Sequence, residues 1–355
     1  MKKLKVEAAL MILLAVGIFA VLFYEGSEQR ENINSKYTAT FLDVFDTKTE
    51  MIGYAESEEA FMRQAELLKE KLLYYHQLYD IYNSYEELNN LKTINENAGI
   101  TSIKVEREII ELLKLSKEMY EQTNGKVNVA MGSVLSIWHD YREHGVTDPE
   151  NASLPEMKEL KEASEYTDMN HVIIDEDAST VYLEMPQMSL DVGSIGKGYA
   201  VQKTAEYARE LGMENLLLSV GGNVCAIGPK MDGSKWTVGI QNPDFEDTKQ
   251  YAGKVTVENC SVVTSGNYQR YYTVDGKRYC HIINPDTLMP SEYFASVSII
   301  ARDSGVADAL STAIYNMPLE EGLSYVNMLE NVEAMWILEN GDIVYSEDFE
   351  KYLTD

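Results

Sequence analysis

Two dipeptides restrict the folds open to this chain more than any other feature. Asp275-Gly276 separates residues 270–274 from 278–283, and Asn340-Gly341 separates 334–338 from 342–346. Asp-Gly supplies the positive-φ residues of a tight hairpin turn, and Asn-Gly does the same work between short apolar runs. Each therefore predicts an antiparallel pair. Helical periodicity marks residues 58–79, 104–122, 155–163, 195–211, 304–316 and 319–330, with stops at Asn124-Gly125 and Gly212. Strand patterns occupy 38–53, 171–174, 180–183, 188–191, 216–220, 236–240, 254–257 and 294–301. Hairpins interleaved with helices argue for an α+β fold with mixed and antiparallel sheets and packed helices, and against a doubly wound parallel sheet.

The N-terminus carries a separate signal. Lys2, Lys3 and Lys5 precede an uncharged run from Ala8 to Tyr24. No small-x-small cleavage pattern and no lipidation cysteine follow it. The run predicts a signal anchor over 1–25, with the lysines in the cytoplasm and the remainder exported. A cleaved secretory signal is the alternative. A polar tether over 26–37 then leads into one soluble domain, 38–355. The expected location is the cell membrane, by a single N-terminal span, with the domain extracytoplasmic.

The chain has 355 residues and a formal net charge of −28. That field repels nucleic acid, which excludes it as a partner. It also repels any anionic ligand, unless a cation, a helix N-terminus or a backbone nest intervenes locally. The three cysteines, Cys225, Cys260 and Cys280, form no CxxC pair, so they read as small buried hydrophobes.

Four segments can carry chemistry. In Leu190-Asp191-Val192-Gly193-Ser194-Ile195-Gly196-Lys197-Gly198, a strand turns into a helix whose free N–H groups suit phosphate oxygens. A bare strand-to-helix turn would use the same residues. Leu218-Ser219-Val220-Gly221-Gly222-Asn223 brings a strand into paired glycines, a turn or a close backbone approach. His281, beside Asn284-Pro285, is either a base near neutral pH or a structural histidine. Asp308, Ser311 and Thr312 share one helical face at i, i+3 and i+4. One carboxylate with two hydroxyls suits a hard cation such as Mg²⁺ and does not suit zinc; a helix cap is the plainer reading of Asp308.

Taken in this order, the segments LDVGSIGKGYAVQ, LLLSVGGNV, HIINPDT and VADALSTA resemble the ApbE family of FAD:protein FMN transferases, from about Phe45 to about Asn316. The resemblance implies that Asp191 and Lys197 contact FAD, with Phe45, Tyr82 and Ile282 packed on it and Lys126, Val127 and Asn128 forming a further contact. It implies Mg²⁺ held by the Ser194 carbonyl, Asp308 and Thr312, assisted by Ser311. It makes His281 the base that activates a threonine on an extracytoplasmic acceptor protein, a flavin-carrying subunit of a redox complex or similar. FMN would then join the threonine as a phosphoester, and AMP would leave. Two departures stand out: Lys126-Val127-Asn128 replaces the family's Ala-Phe-Asp, and Ser311 replaces a second acidic ligand. An FAD pyrophosphatase giving FMN and AMP, and a non-catalytic surface FAD-binding protein, are the alternative functions.

Overall fold

A computed structural model of the chain describes residues 34–245 and 247–354. The predicted anchor over 1–25 lies outside the described residues. Among the described residues no helix is long and apolar enough to cross a membrane. The first strand begins at Ser35, within the stretch 26–37 expected as a tether.

In chain order the elements are β1 (Ser35–Val44), β2 (Thr47–Ala55), α1 (Glu58–Tyr79), α2 (Leu91–Glu96), β3 (Ile103–Lys104), α3 (Arg107–Gln122), α4 (Gly132–Thr147) and α5 (Met157–Ser164). There follow β4 (Val172–Asp175), β5 (Thr180–Leu183), α6 (Gly196–Glu210), β6 (Leu216–Val220), β7 (Asn223–Ile227), β8 (Trp236–Gln241) and β9 (Tyr251–Val257). The last are β10 (Ser261–Gly266), β11 (Tyr271–Val274), β12 (Lys277–Cys280), β13 (Ser296–Ala301), α7 (Ser304–Tyr315), α8 (Leu319–Asn327), β14 (Glu333–Ile337) and β15 (Ile343–Tyr345).

Eight strands form the main sheet in the order β1-β2-β6-β7-β10-β13-β14-β15, and every neighbouring pair is antiparallel. Alternate residues feed two cores. Leu216, Leu218, Val263, Ile299 and Trp336 face the helices α1, α6 and α7, whereas Val262, Ile300, Met335 and Ile337 face the β8–β9 pair. Burial on both faces explains why β6 reads as the unbroken run Leu216-Leu217-Leu218 rather than as an alternation. A third, smaller core gathers Trp138 of α4, Tyr272, Ile283 and Leu288. The three cysteines are free and buried.

The α+β class follows the sequence; several local expectations do not. Residues 38–53 form two strands, not one. The turn is Phe45-Asp46, both at φ +51°. Aspartate tolerates that conformation but phenylalanine rarely adopts it, so the alternating pattern concealed the turn. Residues 188–191 are not a strand; Ser189 makes only an isolated bridge with Met131. Helices α2 and α4, and strands β3, β7 and β10, had no assignment in the sequence reading.

Candidate functional site

One cleft of about 790 Å³ lies where the turns of this scaffold converge. Its walls are the Phe45-Asp46 turn, the segment after α1, the entry to α6, the Gly221-Gly222 turn, part of β8, the segment 264–272, and Asp308 and Thr312 of α7. Gly221, at φ +52°, sits so close to Thr47 that a Cβ would come within 2.6 Å of its Oγ1. This contact seats the Gly221-Gly222 turn against the Phe45-Asp46 turn and explains the paired glycines.

The deepest chemistry lies where α6 meets α7. A Cβ on Gly198 would fall 2.2 Å from the Ser304 carbonyl oxygen, so only glycine lets the two helices approach this closely. The Gly198 N–H donates to Asp308 Oδ2 at 2.7 Å. In a regular helical turn that N–H would bond the Ser194 carbonyl. Among the described residues no backbone N–H donates to the Ser194 carbonyl. Ser194 Oγ is likewise buried without a hydrogen-bond partner. Lys197 Nζ donates to Asn223 Oδ1 at 3.3 Å. Asp308 is 5% exposed. Burial pushes its pKa up, against the pull of the Lys197 ammonium, the Gly198 N–H and the Asn223 side chain.

This donor set fits a hard cation. A buried carboxylate, a cleft-facing threonine hydroxyl one turn later and an unclaimed carbonyl are all oxygen donors. Among the described residues no group of three or more His, Cys, Asp or Glu could hold a metal, so an all-protein cage for a softer ion is missing. Ser311 does not join the set. Its Oγ is fully buried, donates to the Asp308 carbonyl at 2.8 Å and meets Ser265 Oγ at 2.7 Å.

His281 stands at the end of β12. Its Nδ1 lies 3.2 Å from the Arg270 carbonyl, and its backbone N–H donates to the same oxygen at 3.1 Å. A carbonyl only accepts, so Nδ1 carries the proton and Nε2 keeps its lone pair. Desolvation, then the Arg270 guanidinium, pushes the pKa down to about 4, with Arg142 and Lys197 adding to the effect.

Aromatic groups line the same cleft. Phe45 meets His76 edge-on at 5.4 Å between ring centroids. Tyr82 is 58% exposed and lies 5.1 Å from the His139 ring. Asp80 fixes the loop that carries Tyr82. It accepts from the Tyr82 and Asn83 N–H groups, Asn83 Nδ2 and the Tyr85 hydroxyl, and these bonds hold its pKa low despite burial, which pushes upward. Asp191 Oδ1 accepts from the Gly193 N–H at 2.8 Å; burial raises its pKa against that bond and the positive charge of Arg142.

Eleven of the residues singled out from the sequence share this cleft: Phe45, Tyr82, Lys126, Asn128, Asp191, Ser194, Lys197, His281, Ile282, Asp308 and Thr312. Val127 does not line it. Its side chain is wholly buried in the main core, and its N–H donates to Thr123 Oγ1. Lys126 pairs with Asp286. Asn128 Oδ1 accepts from the Ala130 N–H while Nδ2 donates to the Thr167 carbonyl at 2.8 Å. A carboxylate could not make the second bond, which accounts for asparagine at this position.

Sequence reading missed Arg142, Arg270, His139 and Asp80, all of which line the cleft. Arg142 and His139 lie on α4, whose period is broken by Gly132 and Gly145. The available signal was the spacing of His139, Arg142 and Glu143 at i, i+3 and i+4.

An antiparallel α+β scaffold whose cleft combines Lys197, Arg142 and Arg270 with an oxygen-donor pocket and an oriented neutral imidazole defines a class of proteins suited to anionic ligands. The ApbE family model matches residues 45–336, and the chain belongs to the ApbE family. A FAD:protein FMN transferase of Klebsiella pneumoniae is 30% identical over 278 residues, spanning 76% of this chain and 83% of that protein. Another, from Treponema pallidum, is 33% identical over 261 residues and spans 70% of each chain. The crystal structure of the ApbE protein from Thermotoga maritima superposes with a TM-score of 0.79 at 28% identity, covering 90% of this chain and 100% of the other.

Proposed function

We propose that this chain is a Mg²⁺-dependent FAD:protein FMN transferase that acts outside the cytoplasm and attaches FMN to a threonine of a partner protein. One observation carries the reading: Asp308, Thr312 and the Ser194 turn share a single cleft with Lys197 and with His281. Phosphoryl transfer needs a base and a cation-binding oxygen cluster facing the same substrate, and the common cleft of these residues supports that arrangement. The family membership and the transferase relatives support the same activity.

The ion would be held by Asp308, Thr312 and the Ser194 carbonyl. It would supply charge neutralisation at the diphosphate, which a chain of net charge −28 otherwise lacks. The chain's own groups do the rest. Lys197 receives phosphate oxygens. Tyr82, Phe45 and Ile282 offer apolar contact to flavin and adenine rings. His281 Nε2 accepts the proton of the acceptor hydroxyl as that oxygen attacks the FMN-side phosphorus. A new P–O bond joins FMN to the threonine, the P–O bond to AMP breaks, and the proton remains on His281 until product leaves.

The extracytoplasmic location rests on the Lys2–Lys5 cluster and the apolar run after it. An acceptor must then be exported too, as a subunit or loop of a redox complex would be.

The test is incubation with FAD, Mg²⁺ and exported acceptor candidates, read by in-gel flavin fluorescence and AMP release. Fluorescence bound to one acceptor, lost when its threonine becomes alanine, supports the reading. AMP release that proceeds at the same rate with no acceptor identifies a pyrophosphatase instead. FAD held tightly and unchanged in the presence of Mg²⁺ and acceptor identifies a carrier.

A further inference from the structure

Helix α4 places a guanidinium in the cleft that the motifs above do not account for. Arg142 lines the cleft wall together with Tyr82, Asp191 and His281. Among the described residues no carboxylate lies within 4 Å of it, although the chain carries 58 acidic residues against 30 basic ones. Its one recorded hydrogen bond runs from Nη2 to His139 Nδ1, at 2.8 Å. Arginine only donates, so His139 Nδ1 must accept, and the ring proton sits on Nε2. Nε2 faces Glu143 Oε1 at 3.1 Å. Residues i, i+3 and i+4 of one helix thus form a chain, Glu143 to His139 to Arg142, that aims the guanidinium and leaves most of its N–H groups unclaimed.

The helix beneath is firmly seated. Trp138 Nε1 donates to the Leu288 carbonyl at 2.9 Å, and Gly132 approaches the Ser189 carbonyl so closely that a Cβ would lie 2.4 Å from it. Arg142 is therefore carried on a rigid element, with a tautomer-locked histidine behind it. A cleft-lining cation that forms no ion pair among the described residues of a strongly acidic protein is arranged for an anion from outside.

We propose that Arg142 grips the non-bridging oxygens of the FMN-side phosphate, the phosphoryl group that is transferred, and that His139 and Glu143 are its positioning residues. This assignment rests on the transferase reading above. Its location follows from its neighbours. Arg142 lines the cleft with Tyr82 and His281, and the His139 ring that bonds its guanidinium lies 5.1 Å from the Tyr82 ring. With Tyr82 against the flavin and His281 at the point of attack, the FMN phosphate is the part of FAD that joins the two. Lys197, Asp308 and Thr312 are the groups assigned to the metal and its phosphate. Arg142 thus serves the phosphate under attack, where its planar fork can hold two oxygens at once.

The test compares ligands that differ by one phosphate, in Mg²⁺-containing buffer: FMN against riboflavin, and AMP against adenosine. Arg142→Ala should weaken FMN binding roughly 10- to 100-fold, the range expected for charge-assisted bonds. Riboflavin and AMP should bind as they do to the wild type, which also shows that the variant is folded. Arg142→Lys should fall between. Added guanidinium should restore part of the FMN affinity to Arg142→Ala and none to the wild type. His139→Asn, which can keep an acceptor near the Nδ1 position, should lose less than His139→Ala. Equal losses for riboflavin and FMN would assign Arg142 to the flavin ring and overturn the proposal. A loss confined to AMP would place it on the leaving side and do the same. A wild-type protein that binds none of the four ligands would overturn the transferase reading itself, a result separable from any effect of the variants.

Discussion

The Arg270 carbonyl oxygen receives both the backbone N–H and the Nδ1–H of His281, at 3.1 and 3.2 Å. One backbone atom thereby sets the position of the residue and the tautomer of its ring. A carboxylate performs that orientation in many hydrolases, but a carboxylate would also raise the imidazole pKa. A neutral carbonyl orients without doing so. His281→Ala should lower the rate of flavin transfer by roughly 100- to 10,000-fold, the range for losing a general base. FAD affinity should change little, since the ring faces the attacking oxygen. Transfer kinetics and FAD titration on the same preparation check both halves.

The pH dependence follows from the same environment. Desolvation first, and the Arg270 charge second, push His281 down to about 4 from an ordinary value of 6.5. The neutral base is then fully present above about pH 5 and is lost only as pH falls through about 4. Nuclear magnetic resonance titration of the ¹⁵N-labelled imidazole in the ligand-free protein should show its midpoint below pH 5. A midpoint at or above 6 would contradict the desolvated, cation-flanked setting.

Asp308 presents the opposite sign. Its carboxyl is buried, and burial raises its pKa above the unfolded value. The folded state therefore holds this proton more tightly, and ionising the group as pH rises costs stability in the ligand-free protein. Asp308→Asn removes the charge and can still accept the Gly198 N–H. The metal-free variant should melt higher than the wild type at pH 7, by about 2–4 °C for each kcal/mol regained. It should also lose Mg²⁺-dependent activity, because an amide does not neutralise a divalent ion. Calorimetry without metal and assays across Mg²⁺ concentration measure the two effects. A lower Tm together with retained Mg²⁺ response would count against the site.

Much of this architecture is written in local chemistry. Asp275-Gly276 forms the tight turn its residues predict, with both φ angles positive. Asn340-Gly341 also closes a hairpin, but only Gly341 has a positive φ, and the turn is longer: Gly341 N–H reaches the Leu338 carbonyl and Leu338 N–H the Asp342 carbonyl. That Asp308 and Thr312 share a face was legible from their helical spacing, and their oxygen donors suit a hard cation. Other parts were not. Phe45 turns in a conformation phenylalanine does not favour, beside Thr47, which packs against Gly221 far along the chain. Ser311 shares a helical face with Asp308 in sequence, yet its hydroxyl is claimed by Ser265 of β10, a strand that had no assignment. Arg142 could not be placed without knowing that α4 is a helix and that Tyr272 and Leu288 pack beneath it.

Gly198 links the fold to the site more directly than any ligand residue. Its missing side chain allows α6 to rest on α7 with only 2.2 Å between a built Cβ and the Ser304 carbonyl, and 2.4 Å to Asp308 Cβ. Neither neighbour is the end of a flexible side chain, so an added methyl must push the helices apart. Overpacking of this kind costs roughly 1–3 kcal/mol. The same displacement would stretch the 2.7 Å bond between the Gly198 N–H and Asp308 Oδ2, which aims the carboxylate. Gly198→Ala should therefore lower the Tm by several degrees and raise the Mg²⁺ concentration needed for half-maximal activity, while His281 keeps its tautomer and titration. Gly222→Ala makes the comparison: its Cβ would meet nothing within 4 Å, so its penalty should come from the φ of +92° alone. A stability loss in Gly198→Ala with unchanged Mg²⁺ dependence would show that helix packing and carboxylate placement are independent, and would break the link argued here.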